Sequence, residues 1–226
     1  MSPNLPCLTY SRQVAFGTLW LLSVKSLATL VAALALAVSS LALAAPAQSS
    51  EFPWKATITF DKNWNNQFDS RVIWRLYQKQ GPAWKLVETH AWRAGSGLPG
   101  KVGRNSCATS RGWLPNGTYH FRQSNNYRGN VIRGRVFRLD DHACSSGHVR
   151  HNLFIHSEQT AGNRQCRDRR GDQSCRWEWP RINDYKSLGC IKMSPTDLAQ
   201  LTYFFHRHFA AGVRYPTDRV ALIVTN

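Results

Sequence analysis

Two short segments of the sequence carry residues that can do nucleophilic chemistry. Ser187–Met193 places Cys190 directly after Gly189, where the pattern predicts the beginning of a helix, and His156 ends a predicted strand. A cysteine becomes a thiolate near neutral pH when a histidine takes its proton, and a helix N-terminus lowers the thiol pKa further. The pair predicts cysteine catalysis, with Cys190 as nucleophile and His156 as base.

The residues around Cys190 favour a reactive thiol over a buried structural one. Gly189 has no side chain and would allow a substrate close to the backbone. The backbone N–H groups of Leu188, Gly189 and Cys190 are candidate donors to a developing oxyanion. The competing interpretation is a small hydrophobic core cysteine, the commonest role of a free cysteine.

The same segments resemble a known family. Ile155–Ser157 and Ser187–Pro195 look like the signature of the L,D-transpeptidase catalytic domain (YkuD type), which has a histidine, a spacer, and then Ser/Thr-His-Gly-Cys before a hydrophobic and a basic or amide residue. Leu114–Tyr119 resembles the family's Pro-x-Gly-Thr-aromatic turn. The resemblance spans residues 54–226 and implies an open, twisted β-barrel or sandwich.

The resemblance also implies a reaction. The Cys190 thiolate would attack the peptide bond between the third residue and the terminal D-alanine of a peptidoglycan stem, and His156 would carry the proton. Ser157 would orient the histidine through its backbone carbonyl. Ser187, Leu188 and Gly189 would bind the oxyanion and the substrate. An amine of a neighbouring stem or of a wall-bound protein would accept the acyl group.

Two features depart from the family pattern. Leu188 stands where the family has a histidine, so either the backbone N–H alone matters there or substrate positioning is altered. The interval from His156 to Cys190 is longer than in the family because of an Arg-rich insertion, residues 157–186. This insertion is predicted either as a rim over the substrate groove or as a solvated surface loop.

Most of the remaining chain predicts β-structure that could position these groups. Runs of β-branched and aromatic residues with period-two alternation predict strands, and Gln80–Pro82 predicts a hairpin turn. Ser194, Pro195 and Asp197 predict a helix start, and Gly212 its end. The strands are predicted at Trp54–Phe60, Arg71–Tyr77, Trp84–Trp92, Thr118–Arg122, Val131–Leu139, His151–His156 and Val220–Val224. The fold class is therefore mainly β, one domain over residues 51–226, with one substantial helix after the cysteine.

Five cysteines follow residue 51, which leaves one unpaired if two disulfides form. The preferred pairs are Cys166 with Cys175 and Cys107 with Cys144, among three connectivities, with Cys190 free. No closely spaced Cys/His set supports a zinc site, so the sequence predicts neither metal nor cofactor.

Residues 1–45 resemble a secretory signal peptide: a basic start, an apolar run and an A-x-A-like exit. An uncleaved anchor over Ser26–Ala45 is the alternative, and only then is the membrane a partner. The chain carries a net charge of +16, which falls to +14 without the leader. Such a surface favours an anionic cell-wall polymer in the periplasm or wall. Nucleic acid would also suit the charge, but no nucleic-acid-binding motif is present.

The sequence thus predicts a secreted cysteine L,D-transpeptidase that remodels peptidoglycan and thereby cell shape. An L,D-carboxypeptidase, with water as acceptor, is a close alternative. A non-catalytic wall-binding domain on the same fold is the third.

Overall fold

The computed structural model describes residues 52–226, so the predicted leader lies outside the described residues. Within this range the chain is mainly β, as predicted, with one α-helix, α1 (Pro195–His206). The strands, in chain order, are β1 (Trp54–Asp61), β2 (Ser70–Gln80), β3 (Ala83–Gly95), β4 (Gly117–Tyr119), β5 (Phe121–Arg128), β6 (Arg133–Leu139), β7 (His142–Ala143), β8 (Val149–Arg150), β9 (Phe154–His156), β10 (Ile191–Met193) and β11 (Val220–Thr225).

Nine strands form one sheet in the order β4-β11-β1-β2-β3-β10-β9-β6-β5, and β7 pairs with β8 separately. The two edge strands, β4 and β5, are separated in the chain only by His120, so the sheet curves until its edges approach each other. A single strand over Thr118–Arg122 was predicted, and this is wrong. The strand is interrupted at His120, and the segments before and after it, β4 and β5, lie at opposite edges of a nearly closed, barrel-like sheet.

The core lies inside this curved sheet. Alternate residues of β1 and β2 are buried, as their period-two pattern predicts. Helix α1 adds a stripe of side chains with no exposed surface, Leu198, Leu201 and Phe205. The ring centroid of Phe205 lies 5.9 Å from that of Phe121 and 5.5 Å from that of Phe137, so the helix closes the core against β5 and β6.

Helix α1 begins as predicted but ends earlier. The Ser194 hydroxyl accepts a hydrogen bond from the Asp197 N–H at 3.1 Å, and Pro195 is the first helical residue. The helix ends at His206 rather than near Gly212. The Phe205 carbonyl accepts hydrogen bonds from the N–H groups of Arg207, His208 and Phe209, and the last turn tightens. Phe209 follows the helix and is still buried.

Two disulfides join the loops, with the predicted connectivity. Cys107 pairs with Cys144, Cys166 pairs with Cys175, and Cys190 is a free cysteine. Disulfides are typical of oxidising, extracytoplasmic compartments.

Among residues 52–226, no helix is both long enough and apolar enough to cross a membrane.

Candidate active site

His156 ends β9, and Cys190 lies just before the start of the neighbouring parallel strand, β10. In the pairing of β9 with β10, Lys192 lies opposite His156, and Cys190 immediately precedes β10. The prediction that Cys190 stands at the mouth of a helix is wrong, because β10 intervenes before α1. Ile191 and Met193 are fully buried and β10 pairs with both β9 and β3, so sheet pairing claims these residues and the thiol receives no helix dipole.

The His156 imidazole is buried and held in one tautomer. Its Nδ1 lies 3.2 Å from the carbonyl oxygen of Ser157, the contact that the family resemblance implies. A carbonyl only accepts, so Nδ1 carries the proton and Nε2 keeps a free lone pair. Burial, and then the Lys192 ammonium, lower the His156 pKa to about 3. The imidazole is therefore neutral at rest.

The Cys190 thiol is also neutral at rest. Its Sγ lies 3.6 Å from the carbonyl oxygen of Asn152, to which it donates, and in the described part of the chain it shares no hydrogen bond with His156. Burial raises the Cys190 pKa to about 11, opposed by the Phe154 N–H and by the charges of Arg150 and Lys192. The prediction of a thiol pKa lowered by its surroundings is wrong for this resting state.

Cys190 borders a cavity of about 240 Å³. Three segments line it: residues 109–110, 148–153 and 188–190.

The Ser187 hydroxyl is committed to the backbone of its own turn. It donates to the Cys190 carbonyl at 2.6 Å and accepts from the N–H groups of Gly189, at 3.2 Å, and Gly97, at 3.1 Å. Ser187 therefore shapes the turn, and the predicted contact with substrate is replaced by this structural role. The Gly189 N–H is already bonded, which leaves those of Leu188 and Cys190 as candidate oxyanion donors. The Leu188 side chain is 64% exposed, beside the cavity.

Arg150, which sequence reasoning missed, lies behind this turn. Its guanidinium is buried and donates to the carbonyls of Ser106, at 2.6 Å, and Gly112, at 3.2 Å. Gly189 has φ 124°, and a β-carbon there would overlap Arg150 Nη2. The space at Gly189 is thus taken by Arg150, not by a substrate as predicted. Strand β8 has two residues, too few for any pattern to reveal a buried arginine.

A buried ion pair connects the insertion to the active-site strand. The Lys192 ammonium contacts the Glu158 carboxylate, and both side chains are almost fully buried. Burial raises the Glu158 pKa to about 7, an effect that Lys192 opposes. Glu158, Asp172 and Asp184 offer oxygens within 4.8 Å of one another and are the described residues that could hold a cation. Lysines already pair with two of them: Lys192 with Glu158 and Lys186 with Asp172.

The insertion, residues 157–186, is an ordered loop without regular secondary structure. Asp184 is fully buried and its Oδ2 accepts the Trp179 N–H at 2.9 Å. The Arg93 guanidinium lies 4.4 Å from the ring centroids of both Trp179 and Tyr185, which fixes the loop to β3. The insertion is therefore packed against the sheet that carries the site.

No protein-family model matches the sequence, and no curated protein matches it. Two solved structures are similar to it at low identity. One is Bd1075 of Bdellovibrio bacteriovorus, with a TM-score of 0.41, 10% identity, and coverage of 76% of this chain and 48% of that one. The other is the helical cell shape determining protein Pgp2 of Campylobacter jejuni, with a TM-score of 0.40, 14% identity, and coverage of 77% of this chain and 48% of that one. The matched part of the chain spans about half of each of those proteins.

Proposed function

We propose that the protein is a secreted cysteine L,D-transpeptidase that acts on peptidoglycan stem peptides. One observation carries the proposal. His156, whose Nε2 is available, ends β9, the free Cys190 thiol comes immediately before the neighbouring parallel strand β10, and this thiol borders a cavity. The family resemblance of the segments around both residues supplies the reaction.

In the first step Cys190 Sγ attacks the carbonyl carbon of the bond that precedes the terminal D-alanine. Both partners are neutral at rest, so the thiol proton leaves toward His156 Nε2 as the C–S bond forms. Catalytic contacts are often longer in free enzymes and shorten in the substrate complex. The N–H groups of Leu188 and Cys190 would stabilise the oxyanion, and the Arg150 charge would favour the developing negative charge at sulfur.

The tetrahedral intermediate then collapses and the C–N bond breaks. His156 returns the proton to the departing amine, which leaves as D-alanine, and a thioester remains on Cys190. An acceptor amine attacks the thioester carbonyl carbon and loses its proton to His156. The C–S bond then breaks, and His156 returns the proton to the Cys190 sulfur. With water as the acceptor the same steps make an L,D-carboxypeptidase.

Charge and compartment support a wall substrate. Two disulfides suit an oxidising compartment, and a basic surface attracts the carboxylates of stem peptides. These features support our proposal that the protein acts in the periplasm or cell wall.

Intact-mass analysis with a carbapenem, an acylating mimic of the donor peptide, tests this function. We expect one adduct on the wild-type protein, none on Cys190→Ala, and adduct formation slowed by at least 100-fold in His156→Ala. His206→Ala is the matched control, because His206 is exposed on α1, and it should react like the wild type.

A stem tetrapeptide then tests turnover, through release of D-alanine. If the wild-type protein forms neither adduct nor D-alanine, the enzyme proposal fails. A wall-binding domain would then be the remaining candidate.

A further inference from the structure

A second cavity, of about 370 Å³, lies next to the loop that Arg150 holds. Ser106 and Trp113 of that loop line this cavity, and their carbonyls accept hydrogen bonds from the Arg150 guanidinium. We call this cavity the Trp64 cavity. The β1–β2 loop, the loop before β4 and the β7 region line it. Its lining includes Lys62, Trp64, Arg104, Ser106, Trp113 and Asn116, none of which the proposed reaction uses.

Lys62 gives this cavity an unneutralised positive charge. The residue is only 6% exposed, its Nζ donates to Asn116 Oδ1 at 2.6 Å, and the ammonium lies 4.7 Å from the Trp113 ring centroid. In the described part of the chain no carboxylate forms an ion pair with it. Burial lowers the Lys62 pKa to about 8, so it remains mainly cationic at pH 7. A buried charge without a counter-charge is costly, and an anionic ligand would relieve that cost.

Arg104 adds a second donor without an acceptor. Its Nε is buried and has no hydrogen-bond partner among the described residues. Buried donors are rarely left unpaired in folded proteins. Lys62 and Arg104 thus both lack an anionic oxygen at the same cavity.

Trp64 presents an open aromatic face beside these cations. Its side chain is 51% exposed and packs edge-on against Trp113, with ring centroids 4.9 Å apart. The Asn63 side chain accepts the N–H groups of Asn65, at 2.9 Å, and Asn66, at 3.1 Å, which fixes the loop. The indole is therefore positioned without being buried, as a binding platform requires.

We propose that the Trp64 cavity binds a carboxylate-bearing sugar unit of the peptidoglycan strand. The apolar C–H face of the pyranose would pack on the Trp64 indole, and the carboxylate would pair with Lys62 and Arg104. The choice of saccharide rests on the proposed function. The carboxylate has two sources in peptidoglycan: the lactyl group of muramic acid without a stem, or the acidic residue of an attached stem.

The cavity chemistry favours this ligand over nucleic acid. A strand of nucleic acid is bound through a row of phosphate contacts with several basic groups. The Trp64 cavity instead offers one platform, one ammonium and one guanidinium, which suits one ring with one carboxylate.

Calorimetric titration of the full chain carrying Cys190→Ala tests the proposal, since this variant cannot turn over a ligand. The probes are N-acetylmuramic acid, N-acetylglucosamine, which lacks the carboxylate, and a muramyl peptide with a free D-glutamate carboxylate. We expect one of the two carboxylate ligands to bind at least 10-fold more tightly than N-acetylglucosamine. Whichever binds more tightly identifies the source of the carboxylate.

Adding Trp64→Ala should weaken that binding at least 10-fold, and because Trp64 is half-exposed the variant should remain folded. Adding Arg104→Gln should bring the affinities of the carboxylate ligand and N-acetylglucosamine together. The matched control is Trp179→Ala, a tryptophan of the insertion that is 38% exposed, which should bind like the parent.

Equal affinity for all three probes, no effect of Trp64→Ala, or tighter binding of a single-stranded oligonucleotide would overturn the proposal. The outcome is independent of catalysis. Failure of carbapenem acylation would remove the proposed enzyme without changing these affinities, and loss of sugar binding would leave acylation intact.

Discussion

The guanidinium of Arg150 occupies the space that a β-carbon at Gly189 would need. The same guanidinium binds the carbonyls of Ser106 and Gly112, so one buried side chain connects the turn before the nucleophile to the opposite loop. The geometry of the Cys190 cavity therefore depends on an arginine and a glycine that come together only in the folded chain.

We predict that Gly189→Ala destabilises the protein by ~2–4 kcal/mol and abolishes carbapenem acylation, because it adds a clash with Arg150 to the strain of a positive φ. Gly212→Ala is the matched control. Gly212 has φ 76° and open space around its Cα, so the loss there should be only ~1 kcal/mol. Urea unfolding measures both, and equal losses would contradict the clash.

The free thiol should react slowly with small electrophiles. With a Cys190 pKa raised to about 11, the thiolate fraction at pH 7 is very small and rises about tenfold per pH unit toward that value. The alkylation rate with iodoacetamide, followed by intact mass, should therefore climb steadily from pH 7 to pH 10. Cys190→Ala gives the background, and a plateau below pH 8 would show a thiolate already present at rest.

Much of the fold could be predicted because its signals are local. The alternation in β1 and β2 and the Ser194 cap each need only a few neighbouring residues. The break at His120 and the short strand Ile191–Met193 could not, because pairing with distant strands determines them. A three-residue strand carries too little pattern to compete with the helix signal that follows it.

The candidate site could likewise be predicted only where the signal is local in the sequence. The His156–Ser157 contact and the neighbouring placement of the His156 and Cys190 segments agree with what the order of these segments in the chain implies, and their catalytic role stays a proposal. Arg150 was missed because its partners, the Ser106 and Gly112 carbonyls, lie on a distant loop. Ser187 was assigned to substrate binding, whereas its hydroxyl bonds within its own turn and to the Gly97 N–H. Whether the Cys190 pKa is raised or lowered also depends on how deeply the thiol is buried, which a sequence motif does not show.

Stability should depend on pH through Glu158. Its folded-state pKa is raised from 4.5 to about 7, so between these values the folded state holds a proton that the unfolded state has lost. The free energy of unfolding should therefore fall by ~1–3 kcal/mol as pH rises from 4.5 to 7, relative to Glu158→Gln, which stays neutral. Urea unfolding across this range measures the difference.

Asp218→Asn is the control for this titration, since Asp218 is exposed and should follow the wild-type curve. Parallel curves for the wild type and Glu158→Gln would show that Glu158 ionises normally in the folded state.

The two disulfides should differ in their effect on the site. They close loops with sequence separations of 37 and 9 residues, so loop entropy predicts losses of ~4 kcal/mol for Cys107→Ser with Cys144→Ser and ~3 kcal/mol for Cys166→Ser with Cys175→Ser. Cys107 follows Ser106, whose carbonyl binds Arg150, so we expect only the first double variant to slow carbapenem acylation substantially. Equal slowing in both would mean that the insertion also forms the donor site.

Substitutions at position 188 distinguish a catalytic role of its backbone N–H from a role of its side chain. The Leu188 side chain is 64% exposed, so Leu188→Ala and Leu188→His should change the free energy of unfolding by less than ~0.5 kcal/mol. If the N–H of this residue stabilises the oxyanion, both should acylate within about threefold of the wild type. Leu188→Pro removes the N–H and should slow acylation by ~100-fold or more, in a protein whose circular dichroism is unchanged. A gain above tenfold in Leu188→His would instead show that the side chain at this position positions the donor, because only that variant adds an imidazole without altering the backbone.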